Sequence, residues 1–236
     1  NKFVRNGICE ILNTFLTKNI RQDPGWLTWY DQHPRPECMN DTSHIYQKKK
    51  ALSKFFCDEL INYFESNPSK QVSGNIALDG EIVISRVHKN SIEMDLDMHL
   101  PSNPLFTTIE IILGQNLLEY QKLYPYTKHL PHYSIFKKAN IQKYYPTGGY
   151  LTEHNEHGMN IDSISRVLAW MFYLNDVTDK GGTRFPRHNL TLKARAGDLY
   201  IWPAYFTHSH HGIASPTQVK YIATGWVNFD QYQSLV

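Results

Sequence analysis

The chain has 236 residues, 41% of them apolar, which is enough for one domain with a full hydrophobic core. Its 24 basic residues against 22 acidic ones leave a formal charge of +2, so no long-range field marks nucleic acid or an anionic membrane as its partner. Cys9, Cys38 and Cys57 are odd in number, far apart and without CxxC spacing. They argue against a disulfide framework or a zinc cluster and point to a reducing, cytoplasmic setting. No apolar run approaches the roughly 18 residues that a membrane helix needs, and the N-terminus lacks the charged-then-apolar layout of a signal peptide.

In chain order, Val4, Ile8, Ile11, Leu12, Phe15 and Leu16 recur at three-and-four spacing and predict an amphipathic helix over Phe3 to Asn19. Pro24, Pro34 and Pro36 then punctuate an irregular, aromatic-rich stretch. Ser53 is an N-cap for a second helix carrying Phe56, Leu60, Tyr63 and Phe64, and Asn67-Pro68 ends it. Ile109, Ile112, Leu113, Leu117 and Tyr120 predict a third over Thr107 to Tyr124. From about Ala139 the pattern changes to short runs rich in Val, Ile, Tyr, Trp and Thr between Gly and Pro. These fall at Ile141 to Tyr145, Arg166 to Leu174, Leu190 to Lys193, Leu199 to Trp202 and Lys220 to Phe229. Many short strands with turns between them predict a sandwich or jelly roll. The expectation is a single α+β domain over 1–236, its 1–135 portion a mainly helical support and its 136–230 portion a β-core.

Histidines number 12, and six of them fall between positions 154 and 211. His154 and Glu156 stand two apart, so on an extended segment an imidazole and a carboxylate share one face. His208 and His210 share a face in the same way. Two histidines and one carboxylate make the facial set that holds Fe(II) and leaves three positions open for O2 chemistry. Alone, His-x-Glu is weak, and a solvated loop is its commoner explanation. A helix-borne zinc protease site is a poorer alternative, because the His-Glu-x-x-His order is missing.

What surrounds each half is more specific. Tyr145-Pro-Thr-Gly148-Gly precedes His154-Asn-Glu156, and Phe172-Tyr173-Leu174-Asn175-Asp176 and Gly181-Gly182-Thr183-Arg184-Phe185-Pro186 follow it. Then come Gly197-Asp-Leu-Tyr-Ile-Trp202-Pro203, His210-His211-Gly212 and Lys220-Tyr-Ile-Ala-Thr-Gly-Trp226. Over Tyr144 to Phe229 this order resembles the Fe(II)/2-oxoglutarate-dependent oxygenases, specifically their prolyl 4-hydroxylase-like branch and its compact microbial and phage members. Phe56 to Ile61 is similar to the helix that opens such domains.

The resemblance implies a double-stranded β-helix, a jelly roll with flanking N-terminal helices. It implies iron on His154, Glu156 and His210, and Lys220 on the distal carboxylate of 2-oxoglutarate. Tyr145 and Tyr173 stand where the family often places a hydroxyl near the cosubstrate, although core packing serves each equally well. It implies hydroxylation of a C–H bond with release of succinate and CO2, a response to L-ascorbate, and peptidyl proline as the substrate class, with another protein or small molecule as the alternative.

The residues agree on Lys220: a lysine entering an apolar strand beyond a Pro216-containing turn is a buried cation that needs an anion. The chain departs from the commonest pattern in using Glu156 rather than Asp, in lacking an acidic residue before Thr183, and in offering His208, His210 and His211 for the distal ligand. Spacing to Gly212 and Lys220 favours His210. His157 and His188 read as surface or substrate-side residues. Two rival readings are a jelly-roll module that keeps a metal without chemistry, against which the intact triad and Lys220 speak, and a cupin-type metalloenzyme without 2-oxoglutarate, against which Lys220 speaks.

Overall fold

The computed structural model describes residues 43–78, 81–98, 103–158 and 161–230. They fall in one compact unit, Ser43–Val236. The helix expected over Phe3 to Asn19 lies outside the described residues.

Two helices support the sheet. Helix α1, Lys54–Glu65, starts where predicted, because the Ser53 hydroxyl accepts the Phe56 amide hydrogen bond at 3.1 Å and satisfies a donor that the first turn leaves open. Helix α2, Pro104–Leu123, begins with Pro at its first position and with Asn103 Oδ1 accepting from the Leu105 amide. The buried faces of both, Cys57, Leu60 and Phe64 on one and Phe106, Ile109, Leu113 and Tyr120 on the other, enter the same core cluster.

The strands are β1 (Tyr46–Lys48), β2 (Val72–Ser73), β3 (Ile76–Leu78), β4 (Glu81–Val83), β5 (Ile92–Asp97), β6 (Tyr133–Tyr144), β7 (Arg166–Tyr173), β8 (Thr183–Phe185), β9 (Leu190–Leu192), β10 (Leu199–Pro203), β11 (His211–Gly212) and β12 (Lys220–Phe229). A seven-stranded sheet runs β1-β10-β7-β12-β6-β5-β2, and a three-stranded sheet runs β11-β8-β9. Every pairing in them is antiparallel. The region before residue 135 is therefore more than helical support: β1, β2 and β5 complete the large sheet.

Strand alternation divides the core in two. Trp170 and Phe172 on β7, Leu199 and Ile201 on β10, and Ala223 and Val227 on β12 face the helices. Ala169, Met171 and Tyr173, Tyr200 and Trp202, and Ile222 point the other way and meet Phe185 and Leu192 of the small sheet. Strand β7 is thus covered on both faces, which is why its sequence is a continuous apolar run rather than an alternation. Trp170 is fully buried, and a Cβ on Gly225 would lie 2.5 Å from its Cζ2, so only glycine leaves room for that ring. Truncating Trp170 to alanine would cost about 3–5 kcal/mol.

Candidate active site

Between the two sheets lies a cavity of about 660 Å³. Strand β12 contributes Lys220, Ile222, Thr224 and Trp226 to its wall, every second residue of one strand, and β6 contributes Asn140, Gln142 and Tyr144 from the opposing register.

His154 and His210 belong to separate segments that meet as a single antiparallel bridge, each amide donating to the other's carbonyl at 2.9 and 2.8 Å. Each ring is oriented in the same way. His154 Nδ1 lies 2.8 Å from the Thr152 carbonyl and His210 Nδ1 2.9 Å from the His208 carbonyl. A carbonyl only accepts, so each neutral ring carries its proton on Nδ1 and presents the Nε2 lone pair. Tyr150 stacks on His154 with ring centroids 3.5 Å apart, and Phe185 and Trp202 pack on His210. The backbone amides of Glu156 and His157 both donate to the Ala204 carbonyl, just past β10, which sets the carboxylate opposite the imidazoles.

Glu156 Oε1 is 3.8 Å from His154 Nε2 and 3.4 Å from His210 Nε2, and one ligand atom from each of the three residues lies within 4.8 Å of the others. Three cis ligands on metal bonds of about 2.1 Å stand about 3 Å apart, so small side-chain adjustments close this set on one ion. The electrostatics fit as well. Burial, helped by His210, pushes His154 down to about 3 and keeps it neutral. Burial alone would raise the Glu156 carboxyl, but the adjoining His210, His154 and Arg166 outweigh it and hold Glu156 below the usual carboxylate range. A neutral imidazole and an ionised carboxylate are the forms that bind a metal. Among the described residues this is the one group of three or more His, Cys, Asp or Glu so placed.

Lys220 is 4% exposed and also lines the cavity. No carboxylate of the described residues lies within ion-pair distance of it, and its nearest charge-stabilising neighbour is the Tyr144 ring, 4.7 Å from Nζ. Burial pushes its ammonium down to about 8, so it is still largely charged at neutral pH. A buried cation without a counter-charge matches an anionic ligand.

The other expected residues separate. Tyr173 is buried, with its hydroxyl 2.8 Å from Thr183 Oγ1; Thr183 lines the cavity and Tyr173 stands behind it. Tyr145 is 55% exposed and lies under Lys143, away from the cavity. Its neighbour Tyr144 is the inward tyrosine, because adjacent strand residues face opposite ways. Its hydroxyl bonds Gln142. His208 is occupied elsewhere: Nε2 bonds the Ser43 carbonyl at 2.6 Å and Nδ1 contacts Thr207. His188 stacks on His208, His211 begins β11, and His157 lines the cavity.

Sequence reading did not single out Thr183, Tyr144, Arg166 and Trp226 as site residues. Trp226 and Thr224 were reachable by stepping in twos from Lys220. Gly182 explains Thr183: a Cβ there would lie 2.2 Å from the Leu192 carbonyl, so glycine lets β8 close against β9 and brings Thr183 to the cavity.

The sequence profile of the 2OG-Fe(II) oxygenase superfamily matches residues 139–228, the span that contains the triad and Lys220. No curated protein matches the chain in sequence. Among solved structures, the viral collagen prolyl hydroxylase of Paramecium Bursaria Chlorella virus-1, a 2OG complex, is 18% identical with a TM-score of 0.58, covering 79% of this chain and 97% of that one. A Pseudomonas putida prolyl-4-hydroxylase is 14% identical with a TM-score of 0.61, covering 79% and 94%. A Trichoplax adhaerens prolyl hydroxylase, in complex with a hypoxia inducible factor oxygen degradation domain peptide fragment, is 15% identical with a TM-score of 0.61, covering 82% and 87%. These likenesses show a shared double-stranded β-helix fold. Residues 139–228 match the 2OG-Fe(II) oxygenase superfamily, and together with the site geometry this match marks the chain as a 2-oxoglutarate-dependent dioxygenase whose cofactors are Fe(II) and 2-oxoglutarate.

Proposed function

We propose that His154, Glu156 and His210 hold the iron, that Lys220 pairs with the distal carboxylate of 2-oxoglutarate, and that the enzyme hydroxylates a prolyl side chain of a peptide or protein. The chain reads as one catalytic domain, with the helices and first strands supporting the β-core. The observation that carries the reading is the pairing, in one cavity, of a neutral-His, ionised-Glu set with a buried and uncompensated lysine.

Bound iron supplies activation of O2 coupled to decarboxylation of 2-oxoglutarate. The protein's own residues do the rest. Thr152 and His208 fix the tautomers of the two imidazoles through their carbonyls. Lys220, with Thr183 and Tyr144 beside it, receives an anionic end and orients the molecule that carries it. Tyr150, Phe185 and Trp202 pack around the histidines and exclude water from their faces.

The proline assignment draws on the three structural relatives, each a prolyl hydroxylase by its own description. The test is incubation of the iron-loaded protein with 2-oxoglutarate, O2 and proline-containing peptides, read by succinate release and by the mass gain of one oxygen on the peptide. Succinate release with no peptide modified would remove proline as the substrate class while leaving the reaction class in place.

A further inference from the structure

Glu156 is unlike the two histidines in one respect: it carries two oxygens, either or both of which can reach a metal. A glutamate has one more torsion than an aspartate, and a carboxylate that swings onto the ion through both oxygens occupies a position that cosubstrate or O2 requires. The structure assigns the task of preventing this to Trp226 and Arg166, as positioning residues that turn Glu156 into a one-oxygen ligand. The inference rests on the reading of His154, Glu156 and His210 as the metal set.

Three observations carry it. The Trp226 indole N–H donates to Glu156 Oε2 at 2.9 Å, whereas Oε1 is the oxygen that faces both imidazoles. The Arg166 guanidinium lies 3.6 Å over the Trp226 ring and its Nη1 donates to the main-chain carbonyl of Glu156 at 2.9 Å, so side chain and backbone of one residue are tied to one stacked pair. Finally, the ladder of β12 with β6 slips between Gly225 and Val227, the place of Trp226, while Trp226 stays in register with Ala169 on β7. A slipped register re-aims a side chain at the cost of regular pairing. Here it delivers an indole to the carboxylate. Arg166 has its charge partner at 3.7 Å in the same oxygen, Oε2, which strengthens the hold on the oxygen turned away from the imidazoles.

Outer partners of metal ligands typically change affinity by about 10–100-fold. We therefore expect Trp226→Phe, which keeps a ring for Arg166 and removes the N–H, to weaken Co(II) binding to the metal-free protein by about tenfold. It should also alter the visible absorption of bound Co(II), as a second carboxylate oxygen enters the coordination sphere. In a Glu156→Asp background, where the shorter carboxylate falls back from the indole, the same substitution should change affinity by less than about twofold, the coupling that a double-mutant cycle measures. Arg166→Met carries the same expectation should Trp226→Phe fail to fold by circular dichroism. If His154→Ala and Glu156→Ala bind Co(II) like the wild type, the metal set is wrong and the inference falls with it. If those variants lose the metal while Trp226→Phe matches the wild type in affinity and spectrum, the positioning role alone is overturned.

Discussion

The two ends of the cavity solve opposite electrostatic problems. At the triad each imidazole Nδ1 is held by a carbonyl and Glu156 Oε2 by Trp226, while Oε1 and the two Nε2 atoms face one another. At the other end Lys220 is buried, with an aromatic face and, among the described residues, no carboxylate at ion-pair distance. The first region is preorganised and near charge balance before anything binds. The second is left incomplete by the fold, which costs stability that a ligand of opposite charge returns. Affinity for a metal should therefore depend on many residues, and affinity for the cosubstrate largely on one.

Substitutions at the triad should have the largest effect. His154→Ala and Glu156→Ala each leave two ligands, and anaerobic Fe(II) titration should show at least about a hundredfold loss of affinity, beyond what outer partners contribute. Equal binding in both variants and wild type would place the metal elsewhere.

The uncompensated lysine predicts a pH effect of intermediate size. Its folded-state pKa is lowered to about 8 from 10.5, so between those values the unfolded chain holds a proton that the folded one has released. Stability of the cosubstrate-free protein should rise as pH climbs through that window, by on the order of 3 kcal/mol in all. Denaturant melts across it should show the rise in the wild type and lose it in Lys220→Met. Over the same range 2-oxoglutarate affinity should fall as the ammonium is lost, and a flat profile in both measurements would mean that Lys220 is paired or solvated.

The smallest effect belongs to His208. Its ring nitrogens are committed to Ser43 and Thr207, so His208→Ala should change Fe(II) affinity less than about twofold, against the large loss expected for His210→Ala. The reverse order would shift the distal ligand by two residues.

Legibility in the sequence followed burial. Strand β7 was readable because both its faces are covered, α1 because Ser53 caps it, and β12 because turn residues bound it. Strand β6 begins at Tyr133, earlier than the expected Ile141, since Lys137 and Lys138 interrupt the apolar pattern of its first half. Strands β2 and β11, two residues each, are too short for any period to show. Strand β5 carries a legible alternation, Ile92, Met94 and Leu96 with Glu93, Asp95 and Asp97. At the site, the local spacing of His154 and Glu156 suggested a ligand pair, and the resemblance to the oxygenases added His210 and Lys220. Of the two adjacent tyrosines it is Tyr144, and not the expected Tyr145, that lines the cavity, because the side of a strand is fixed by register and not by composition. The contact of Trp226 with Glu156 spans 70 positions and left no local trace.

The contrast between the two ends is tested most directly by titrating 2-oxoglutarate into the Fe(II)-loaded protein without O2, for wild type, Lys220→Ala and Lys220→Arg. Leaving a buried carboxylate unpaired costs roughly 2–5 kcal/mol, so Lys220→Ala should bind the cosubstrate about thirtyfold more weakly or worse with its Fe(II) affinity nearly unchanged. Lys220→Arg should recover part of the loss, since a guanidinium also pairs with a carboxylate at a different reach. Equal affinities in all three proteins would contradict the assignment of Lys220 to the cosubstrate.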